Sequence, residues 1–396
     1  MKNRYALPSY LAGAVAARAG DEMSGPALML AAFALAGSTT DASSLLAGIT
    51  VSAAVGGPVL GVLLDRAGRP GRLLAGALVL YAAGLGTVLA GLGRLPLAVI
   101  ILIAVVTGLL GPALSGGWTA QLPRVVPDGH LPRANALDAV TFGLAGLAGP
   151  ALVGGVAEVL GAPAAVVVSA ALIASAWPAA WLLPARPGRP RRVRGGRAAA
   201  VISDLAAGAR IIVGRPPLAR ATLTSVLSCA AQGMLTACVA LLGERVLGGT
   251  GRGAVLLSCT AVSALVATAV LARFPRPLAP DTIIWAGALV QAAALSLAAS
   301  GGPVVLILAA FLAGIGEGPQ LAALFAIRHR ESPEHLRGQI FTTGASVKIT
   351  GFALGAAVAG PVVSWSLPGA LALAASVAAL GALAFFAVPA PRADAA

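Results

Sequence analysis

The sequence contains few charged residues. Only 10% of its 396 residues are Asp, Glu, Lys or Arg, whereas 58% are apolar, and the mean hydropathy is +0.91. A soluble domain carries about 25% charged residues, so this chain lacks the polar groups needed to cover a surface in water. Many apolar runs reach about 20 residues, the length at which a helix crosses a bilayer core. The composition therefore predicts a polytopic helical membrane protein.

Cysteine and histidine are also scarce. The cysteines are Cys229, Cys238 and Cys259, which lie inside apolar runs without the spacing of metal ligands. A buried Cys usually behaves as a small hydrophobic residue. The three histidines fall in expected loops, and the chain has no Gly-x-x-x-x-Gly-Lys-Ser/Thr loop for ATP phosphates. We therefore expect no enzyme, no metal centre and no cofactor, and no pump driven by ATP within this chain.

Glycine, proline and charged residues divide the apolar sequence into twelve candidate membrane spans. Those of the first half cover residues 8–36, 43–64, 73–92, 96–119, 136–159 and 163–183. Those of the second half cover residues 218–241, 253–274, 281–300, 303–327, 339–364 and 367–388. The predicted fold class is an all-α polytopic membrane protein with twelve transmembrane helices in two pseudo-symmetric six-helix bundles.

The basic residues predict how these spans are oriented. The chain has 27 Lys and Arg against 14 Asp and Glu, and most of the arginines fall in alternate segments between the spans. Because cytoplasmic loops carry the excess of basic residues, we expect both termini in the cytoplasm and the protein in the inner (plasma) membrane. The same rule explains the net charge of +13 without nucleic acid, which we exclude as a partner.

A basic segment rich in proline and glycine separates the two halves. Its arginines suit contact with anionic membrane lipids, and residues 198–213 have the apolar spacing of an amphipathic helix that lies along the membrane surface. The predicted domains are an N-terminal bundle (1–183), a cytoplasmic linker (184–217), a C-terminal bundle (218–388) and a cytoplasmic tail (389–396).

The two halves carry a similar sequence after the fourth and the tenth spans. Residues 127–135 and 333–339 both read as proline, acid, His-Leu and arginine, followed by a small and a polar residue. Internal repeats are typical of secondary transporters, whose substrate site lies near the bilayer midplane between the halves. The repeat therefore predicts a transporter.

The loop between spans two and three is the densest cluster of charge and glycine in the first half. It reads as Gly, three residues, Asp, a basic residue, any residue, Gly and a basic residue. The matching residues are Gly61, Asp65, Arg66, Gly68 and Arg69. This pattern resembles the hallmark of the major facilitator superfamily, although Pro70 stands where a second basic residue is usual. The resemblance covers essentially the whole chain and implies alternating access by rocking of the two halves; we expect a monomer.

The five matching residues are expected to form a conformational latch. Span eleven begins on the cytoplasmic side, so its positive helix end points toward the surface that carries Asp65. A carboxylate at a helix N-terminus gains about 0.3–1 kcal/mol. The latch would favour the state that is closed inside and open outside. The alternative is a charged turn that only enforces topology.

Span five carries a second similarity to this superfamily. The residues are Gly143, Gly146, Gly149, Pro150, Gly154 and Gly155. They are similar to the glycine and proline motif of its drug–proton antiporters, with three residues rather than two before the final glycine pair. Residues 17–23 of span one look like the opening of bacterial exporters. The motif of span five implies antiport, as in multidrug resistance, and the similarity of span one implies efflux rather than uptake. The alternative for the glycines is ordinary packing of small residues between helices.

Ionisable residues inside the spans are candidates for proton coupling, because each costs about 2.5 kcal/mol or more at the bilayer centre. They are Arg18, Asp21, Glu22, Glu317 and Lys348. Arg18 and Glu22 are four residues apart and share a helix face. One acid of span one is then left without a cation. A carboxyl group in a dry cavity favours its neutral form, and water or a nearby cation favours the charged form. We expect Asp21 or Glu22 to carry the proton and Arg18 to modulate it, with Glu317 paired to Lys348. The alternative is silent ion pairing.

Polar and aromatic side chains at similar depth are candidates for substrate contacts. They are Gln232, Gln291, Gln320, Phe33 and Phe142. We predict a secondary active transporter that exports a small organic molecule, a drug-like compound or a metabolite, in exchange for protons. The expected partners are that substrate, protons and membrane lipids. Two alternatives remain: a proton-coupled importer of a small solute, and a non-transporting sensor or scaffold with the same fold.

Overall fold

The computed structural model describes residues 6–36, 39–185, 197–249, 252–274 and 278–388, which contain helices and no β-strand. The first helices are α1 (Ala6–Ala36), α2 (Thr39–Arg66), α3 (Pro70–Gly91), α4 (Leu97–Gly108), α5 (Leu122–Val125), α6 (Leu131–Leu160), α7 (Ala162–Ser175) and α8 (Trp177–Trp181). The later ones are α9 (Arg197–Gly214), α10 (Pro216–Leu247), α11 (Gly253–Arg273), α12 (Pro280–Ala299), α13 (Pro303–Glu331), α14 (Arg337–Trp365) and α15 (Leu367–Ala387). The basic stretch at 186–196 and the tail at 389–396 lie outside the described residues.

The predicted all-α membrane fold is confirmed. Within the described residues, ten helical segments are long and apolar enough to cross a membrane. Three of them are composite: α4 continues through a π-helical turn as Leu97–Gly117, α7 continues into α8 as Ala162–Trp181, and α14 is preceded by a 3₁₀ turn as Glu334–Trp365. The helices α1 and α2, with 31 and 28 residues, complete the set of twelve. Helix α9 covers the segment for which the sequence predicts an amphipathic helix.

Proline and glycine mark the ends of several helices. Pro70 and Pro280 stand at the start of α3 and α12, where the missing N–H of proline has no partner to lose. Gly161 joins α6 to α7 with a φ of +86°, and Gly248 ends α10 with a φ of +78°. Glycine adopts this backbone conformation without the steric cost of a Cβ. The chain can therefore reverse within one residue between α6 and α7.

The helices are grouped in two compact units. The first unit comprises residues 1–131, 144–209 and 332–346, and the second comprises residues 132–143, 210–331 and 347–396. Within the first unit, α1 packs chiefly on α7 and α2 on α4; within the second, α13 packs on α11 and α12, and α10 packs on α15. The helices α6 and α14 contribute to both units. The domain boundaries expected from the sequence stay a prediction.

Glycines lie where helices approach each other most closely. A Cβ atom added at Gly56 of α2 would lie 2.0 Å from the carbonyl oxygen of Leu109 in the first unit. In the second unit, a Cβ atom at Gly233 of α10 would lie 2.0 Å from the carbonyl oxygen of Phe352. In a bilayer, small residues allow this approach, and close packing then holds the helices together.

We expect Gly56→Ala to destabilise the protein. The added methyl group would collide with backbone, which cannot rotate away, and overpacking of this kind costs about 1–3 kcal/mol. The matched control is Gly76→Ala, because no described atom lies within 4 Å of a Cβ at Gly76. The midpoint of thermal unfolding of the purified protein should fall for Gly56→Ala and stay equal or rise for Gly76→Ala. Equal midpoints for both variants would contradict the close crossing.

Candidate functional site

Asp65, near the end of α2, binds the first turn of α14. Its Oδ1 accepts a hydrogen bond from the Gly338 N–H at 2.9 Å, and its Oδ2 accepts one from the Gln339 N–H at 2.8 Å. The first N–H groups of a helix have no partner within the helix and carry partial positive charge. The carboxylate therefore satisfies two of these groups and stabilises the start of α14. Residues 332–346 belong to the same compact unit as α2.

Glycines bring α2 and α14 close enough for this contact. A Cβ at Gly61 would lie 2.3 Å from the Cα of Gln339, and a Cβ at Gly338 would lie 2.9 Å from the Oδ1 of Asp65. Gly61 precedes Asp65 by one helical turn, so both residues share a face of α2. The spacing of glycine and acid thus places a small residue and a hydrogen-bond acceptor on one surface.

The remaining residues of the expected latch have other surroundings. Arg66 and Gly68 are half-buried, and Arg69 is exposed just before α3. Gly68 does not adopt a positive φ. The guanidinium of Arg72 lies 4.7 Å from the centre of the Trp181 ring in α8, which is within the range of a cation–π contact. This contact ties the start of α3 to α8 rather than to α14.

Arg18 of α1 is buried inside the first unit. Its side chain is 2% exposed, and its Nη2 donates a hydrogen bond to the Oγ1 of Thr119 at 2.9 Å. Thr119 follows the π-helical turn at Ala113–Gly117. A buried cation of this kind needs hydrogen bonds and a counter-charge. The nearby Asp21 provides the charge, since the two side chains attract each other electrostatically.

Asp21 faces α3 and is held there by a tyrosine. The hydroxyl of Tyr81 donates a hydrogen bond to the Oδ1 of Asp21 at 2.9 Å. The Oγ of Ser24 lies 3.2 Å from the Tyr81 hydroxyl oxygen and donates to the backbone carbonyl of Asp21 at 2.7 Å. Burial of Asp21 acts against its charged form, whereas the hydrogen bond from Tyr81 and the positive charge of Arg18 both stabilise the carboxylate.

Glu22 has different surroundings from its neighbour. Its side chain is exposed, and within the described residues it makes no hydrogen bond or ion pair. The charged group that acts on it is Asp21, which repels it. Its backbone lies against α6, where a Cβ at Gly149 would be 2.7 Å from the Cβ of Glu22. The two adjacent carboxylates of α1 therefore differ in their partners: Asp21 has a tyrosine donor and a nearby cation, and Glu22 has a like charge beside it.

The three glutamines expected to contact substrate bind each other in the second unit. We call the series Gln232, Gln291, Gln320 and Ser228 the amide chain. Gln232 donates to the Oε1 of Gln291 at 3.4 Å, and Gln291 donates to the Oε1 of Gln320 at 3.1 Å. Gln320 donates to the Oγ of Ser228 at 3.1 Å. Gln291 and Gln320 are 2% and 4% exposed, whereas Gln232 is half-buried.

Glu317 and Lys348 lie beside the amide chain. Both side chains are half-buried and attract each other electrostatically, but within the described residues they form no direct ion pair or hydrogen bond. Both also act on Cys229, whose thiol is 3.8 Å from the Oε1 of Gln232. The helix α13 continues without a break through Pro319. Gly314 and Gly318 lie within this continuous helix and allow α11 to pack closely against it.

The glycines of the motif in α6 have different surroundings. A Cβ at Gly149 would collide with Glu22, and a Cβ at Gly143 would meet Leu265 at an ordinary 3.4 Å. The other three glycines, with no described atom within 4 Å of an added Cβ, are Gly146, Gly154 and Gly155. Pro150 is exposed within the continuous helix α6. Close helix packing therefore accounts for only one of these glycines.

The two candidate phenylalanines occupy separate places. The Phe142 ring lies 5.6 Å from the Phe325 ring, in a tilted arrangement within the second unit. Phe33, near the end of α1, is 53% exposed. Neither ring lies in the amide chain or in the cluster around Asp21.

Two residues that the sequence did not single out take part in this polar interior. Tyr81 is 1% exposed and lies inside an apolar run. Because a buried tyrosine hydroxyl usually has a hydrogen-bond partner, a tyrosine within a predicted span could have been recognised from the sequence as part of a polar contact. Asp138 of α6 is 0% exposed. Asp138 lies near the start of the predicted span 136–159, where a charge is inexpensive. Its position in the sequence therefore did not indicate a functional residue.

Within the described residues, the ten apolar helical segments together with α1 and α2 hold charged and amide side chains in their interior. This arrangement defines a polytopic protein of the transporter type. The family model of the Major Facilitator Superfamily matches residues 10–292. The chain belongs to this superfamily of membrane transporters.

Similar proteins agree with this assignment. The uncharacterized MFS-type transporter y4rN of Sinorhizobium fredii is 29% identical over 372 residues, which cover 91% of this chain and 90% of that protein. The human organic anion transporter MFSD10 (TETRAN) has a TM-score of 0.78 at 16% identity, covering 96% of this chain and 99% of its own.

Two further solved structures have the same fold. A bacterial homologue of the iron transporter ferroportin, in an outward-facing state, has a TM-score of 0.77 at 16% identity, covering 96% of this chain and 98% of its own. The E. coli fucose:proton symporter FucP has a TM-score of 0.71 at 17% identity, covering 98% and 100%. At these identities the likeness shows the fold alone.

We expect Asp65→Asn to loosen the start of α14. Asparagine carries no charge and accepts through one oxygen, so one hydrogen bond is lost, at a cost of about 1–3 kcal/mol. Hydrogen–deuterium exchange at residues 338–339 should become faster, and the thermal midpoint should fall. The control Arg69→Gln changes an exposed charge in the same loop and should leave both values unchanged. Equal exchange in Asp65→Asn and the unmodified protein would contradict this role of Asp65.

We also expect Tyr81→Phe to lower the free energy of unfolding. It removes a hydrogen bond to a charged carboxylate, and such bonds contribute about 1.5–3 kcal/mol. Tyr10→Phe is a matched control, because Tyr10 is also 1% exposed and its hydroxyl donates to the neutral carbonyl of Trp118 at 3.4 Å. Thermal unfolding should show the larger loss for Tyr81→Phe, and the reverse order would count against the Asp21 contact.

Proposed function

We propose that the protein exports a small organic molecule in exchange for protons by alternating access. The observation that supports this proposal is the pair of adjacent carboxylates in α1. Asp21 has a tyrosine donor and a nearby cation, whereas Glu22 has neither within the described residues. Pairs of acids whose surroundings favour different protonation states are typical of sites that handle protons.

In this mechanism Glu22 takes up and releases the proton. Asp21 stays charged as the counterion of Arg18, because Tyr81 and Arg18 both stabilise its carboxylate. The unprotonated group of three side chains carries a surplus negative charge, which a proton on Glu22 neutralises. A neutral cluster can be closed off from water at lower cost than a charged one. Protonation of Glu22 would therefore accompany the change between open and closed states.

The contact between Asp65 and α14 serves as the conformational latch of this cycle. It stabilises the state in which the ends of α2 and α14 are joined, and two hydrogen bonds support it. Alternating access requires that this contact breaks and re-forms. With both termini in the cytoplasm, the joined state is the one closed on the inside. Asp65→Asn would then raise the population of the inward-open state.

The direction of transport can be measured in proteoliposomes. The purified protein is reconstituted, and a panel of drug-like dyes, sugars and organic acids is offered under a pH gradient of either sign. An antiporter accumulates its substrate in vesicles with an acidic lumen, because protons leave as substrate enters. Accumulation driven by an acidic exterior would identify an importer, the direction suggested by the fucose:proton symporter with this fold. No flux of any compound would favour a non-transporting protein.

We expect Glu22→Gln to abolish accumulation driven by the pH gradient while substrate exchange without a gradient persists. Glutamine preserves the size of the side chain and cannot release a proton. Glu158→Gln is the matched control, because Glu158 is an exposed acid of α6 in the same unit, and it should retain both activities. Asp21→Asn should impair exchange as well, since Arg18 loses its counter-charge. If Glu22→Gln still responds to the gradient, Glu22 does not carry the proton.

A further inference from the structure

Donors and acceptors follow one order along the hydrogen bonds of the amide chain. The Nε2 of Gln320 lies 3.0 Å from the backbone carbonyl of Ile284 and 3.1 Å from the Oγ of Ser228. A carbonyl oxygen can only accept hydrogen bonds, so the amide nitrogen of Gln320, not its oxygen, must face Ile284. The reversed amide would place two acceptors 3.0 Å apart in a buried site. The backbone therefore decides how the Gln320 side chain is oriented.

The orientation of the Gln320 amide determines the orientations of the other two glutamine amides. Because the Gln320 nitrogen faces Ile284, its Oε1 faces Gln291 and accepts from Nε2 of that residue at 3.1 Å. The Oε1 of Gln291 then accepts from the Nε2 of Gln232 at 3.4 Å. Glycines permit these contacts, since a Cβ at Gly316 would lie 2.7 Å from the carbonyl oxygen of Gly287. The chain of hydrogen bonds thus runs from Gln232 toward the backbone of α12.

Gln232 is the open end of the chain. It is the half-buried member, whereas Gln291, Gln320 and Ser228 are buried. One of the two N–H donors of its Nε2 is used by Gln291, so Nε2 is turned toward Gln291, and Oε1 on the other side of the amide can accept a further contact. Within the described residues the donor to this oxygen is the thiol of Cys229, at 3.8 Å. A thiol is a weak donor, so the oxygen retains most of its capacity to accept.

We propose that the Oε1 of Gln232 selects transported molecules that carry an N–H or O–H donor. Gln291 and Gln320 are positioning residues, which hold the Gln232 amide so that its Nε2 faces Gln291 and its Oε1 is turned away from Gln291. The substrate class is therefore a small organic molecule with hydroxyl, amide or ammonium donors, as opposed to one whose donors are blocked by alkyl groups. This inference rests on the proposed function, since it assumes that the amide chain contacts the transported molecule.

Matched pairs of probes test this selectivity. Rhodamine 123 and tetramethylrhodamine methyl ester share a cationic scaffold and differ in the N–H groups of the dye. D-xylose and its per-O-methyl derivative differ in their O–H groups. Leaving an acceptor without its donor weakens binding about tenfold or more. Equilibrium binding to the purified protein should favour at least one donor-bearing compound over its methylated partner by that factor.

Variants of Gln232 locate the effect. Gln232→Met removes the acceptor and should bring the ratio of affinities within each pair close to one. Gln232→Glu keeps an acceptor of the same length and should retain the preference. Gln320→Glu cannot donate to Ile284 and should reduce the preference without touching the ligand. Ser258→Ala is a control, because Ser258 is exposed and bonds to its own helix; it should leave the ratio unchanged.

The outcomes separate this inference from the proposed function. Loss of the preference in Gln232→Met supports it, even if flux in proteoliposomes proves not to depend on a pH gradient. Equal or stronger binding of the methylated compounds, no binding of any of the four probes, or an unchanged ratio in Gln232→Met would overturn it. Proton-driven export together with any of these results would leave the role of Glu22 standing and remove that of Gln232.

Discussion

Two of the polar contacts, that of Asp65 with α14 and that of Gln291 with Gln320, lie at close crossings between two helices. A bilayer core supplies no water, so a polar group inside it needs a partner from the protein. A missing Cβ brings the backbone of a neighbouring helix closer to such a group. Gly61 and Gly338 admit the contact of Asp65 with α14, and Gly316 lies against α12 where Gln291 meets Gln320. At these two places the glycines allow the close helix packing that brings the polar groups into contact.

The loop after α2 could be predicted from the sequence because its chemistry is local. Gly61 and Asp65 are one helical turn apart, so their shared face follows from helix geometry. The amide chain could be predicted only in part. Its three glutamines lie on α10, α12 and α13, and sequence shows their depth but not which of them meet. Long-range hydrogen bonds depend on how the helices pack, which short sequence patterns do not specify.

The cluster in α1 shows a similar limit. The charges at Arg18, Asp21 and Glu22 are visible as interruptions of an apolar run, but their different surroundings are not. Tyr81 determines that difference, and it comes from another helix. In α6 the sequence shows a pattern for which the structure shows few close contacts. A chain with 50 glycines contains such spacings by chance. Only Gly149 in that motif lies in a contact too close for a side chain.

The two compact units hold polar groups of different chemistry. The first holds ionisable side chains around Asp21 and Glu22, whose charge changes with a proton. The second holds the amide chain, whose members keep the same donors and acceptors at any physiological pH, and the ionisable Glu317 and Lys348 lie beside this chain. A group that titrates can couple transport to a gradient, but its preference for substrate would change during the cycle. In the proposed cycle, the Gln232 amide, held through Gln291 and Gln320 to the Ile284 carbonyl, would keep the same face toward the substrate throughout. With the proton on Glu22 and the substrate at Gln232, as proposed, the proton would alter the energy of the cycle without altering what is bound.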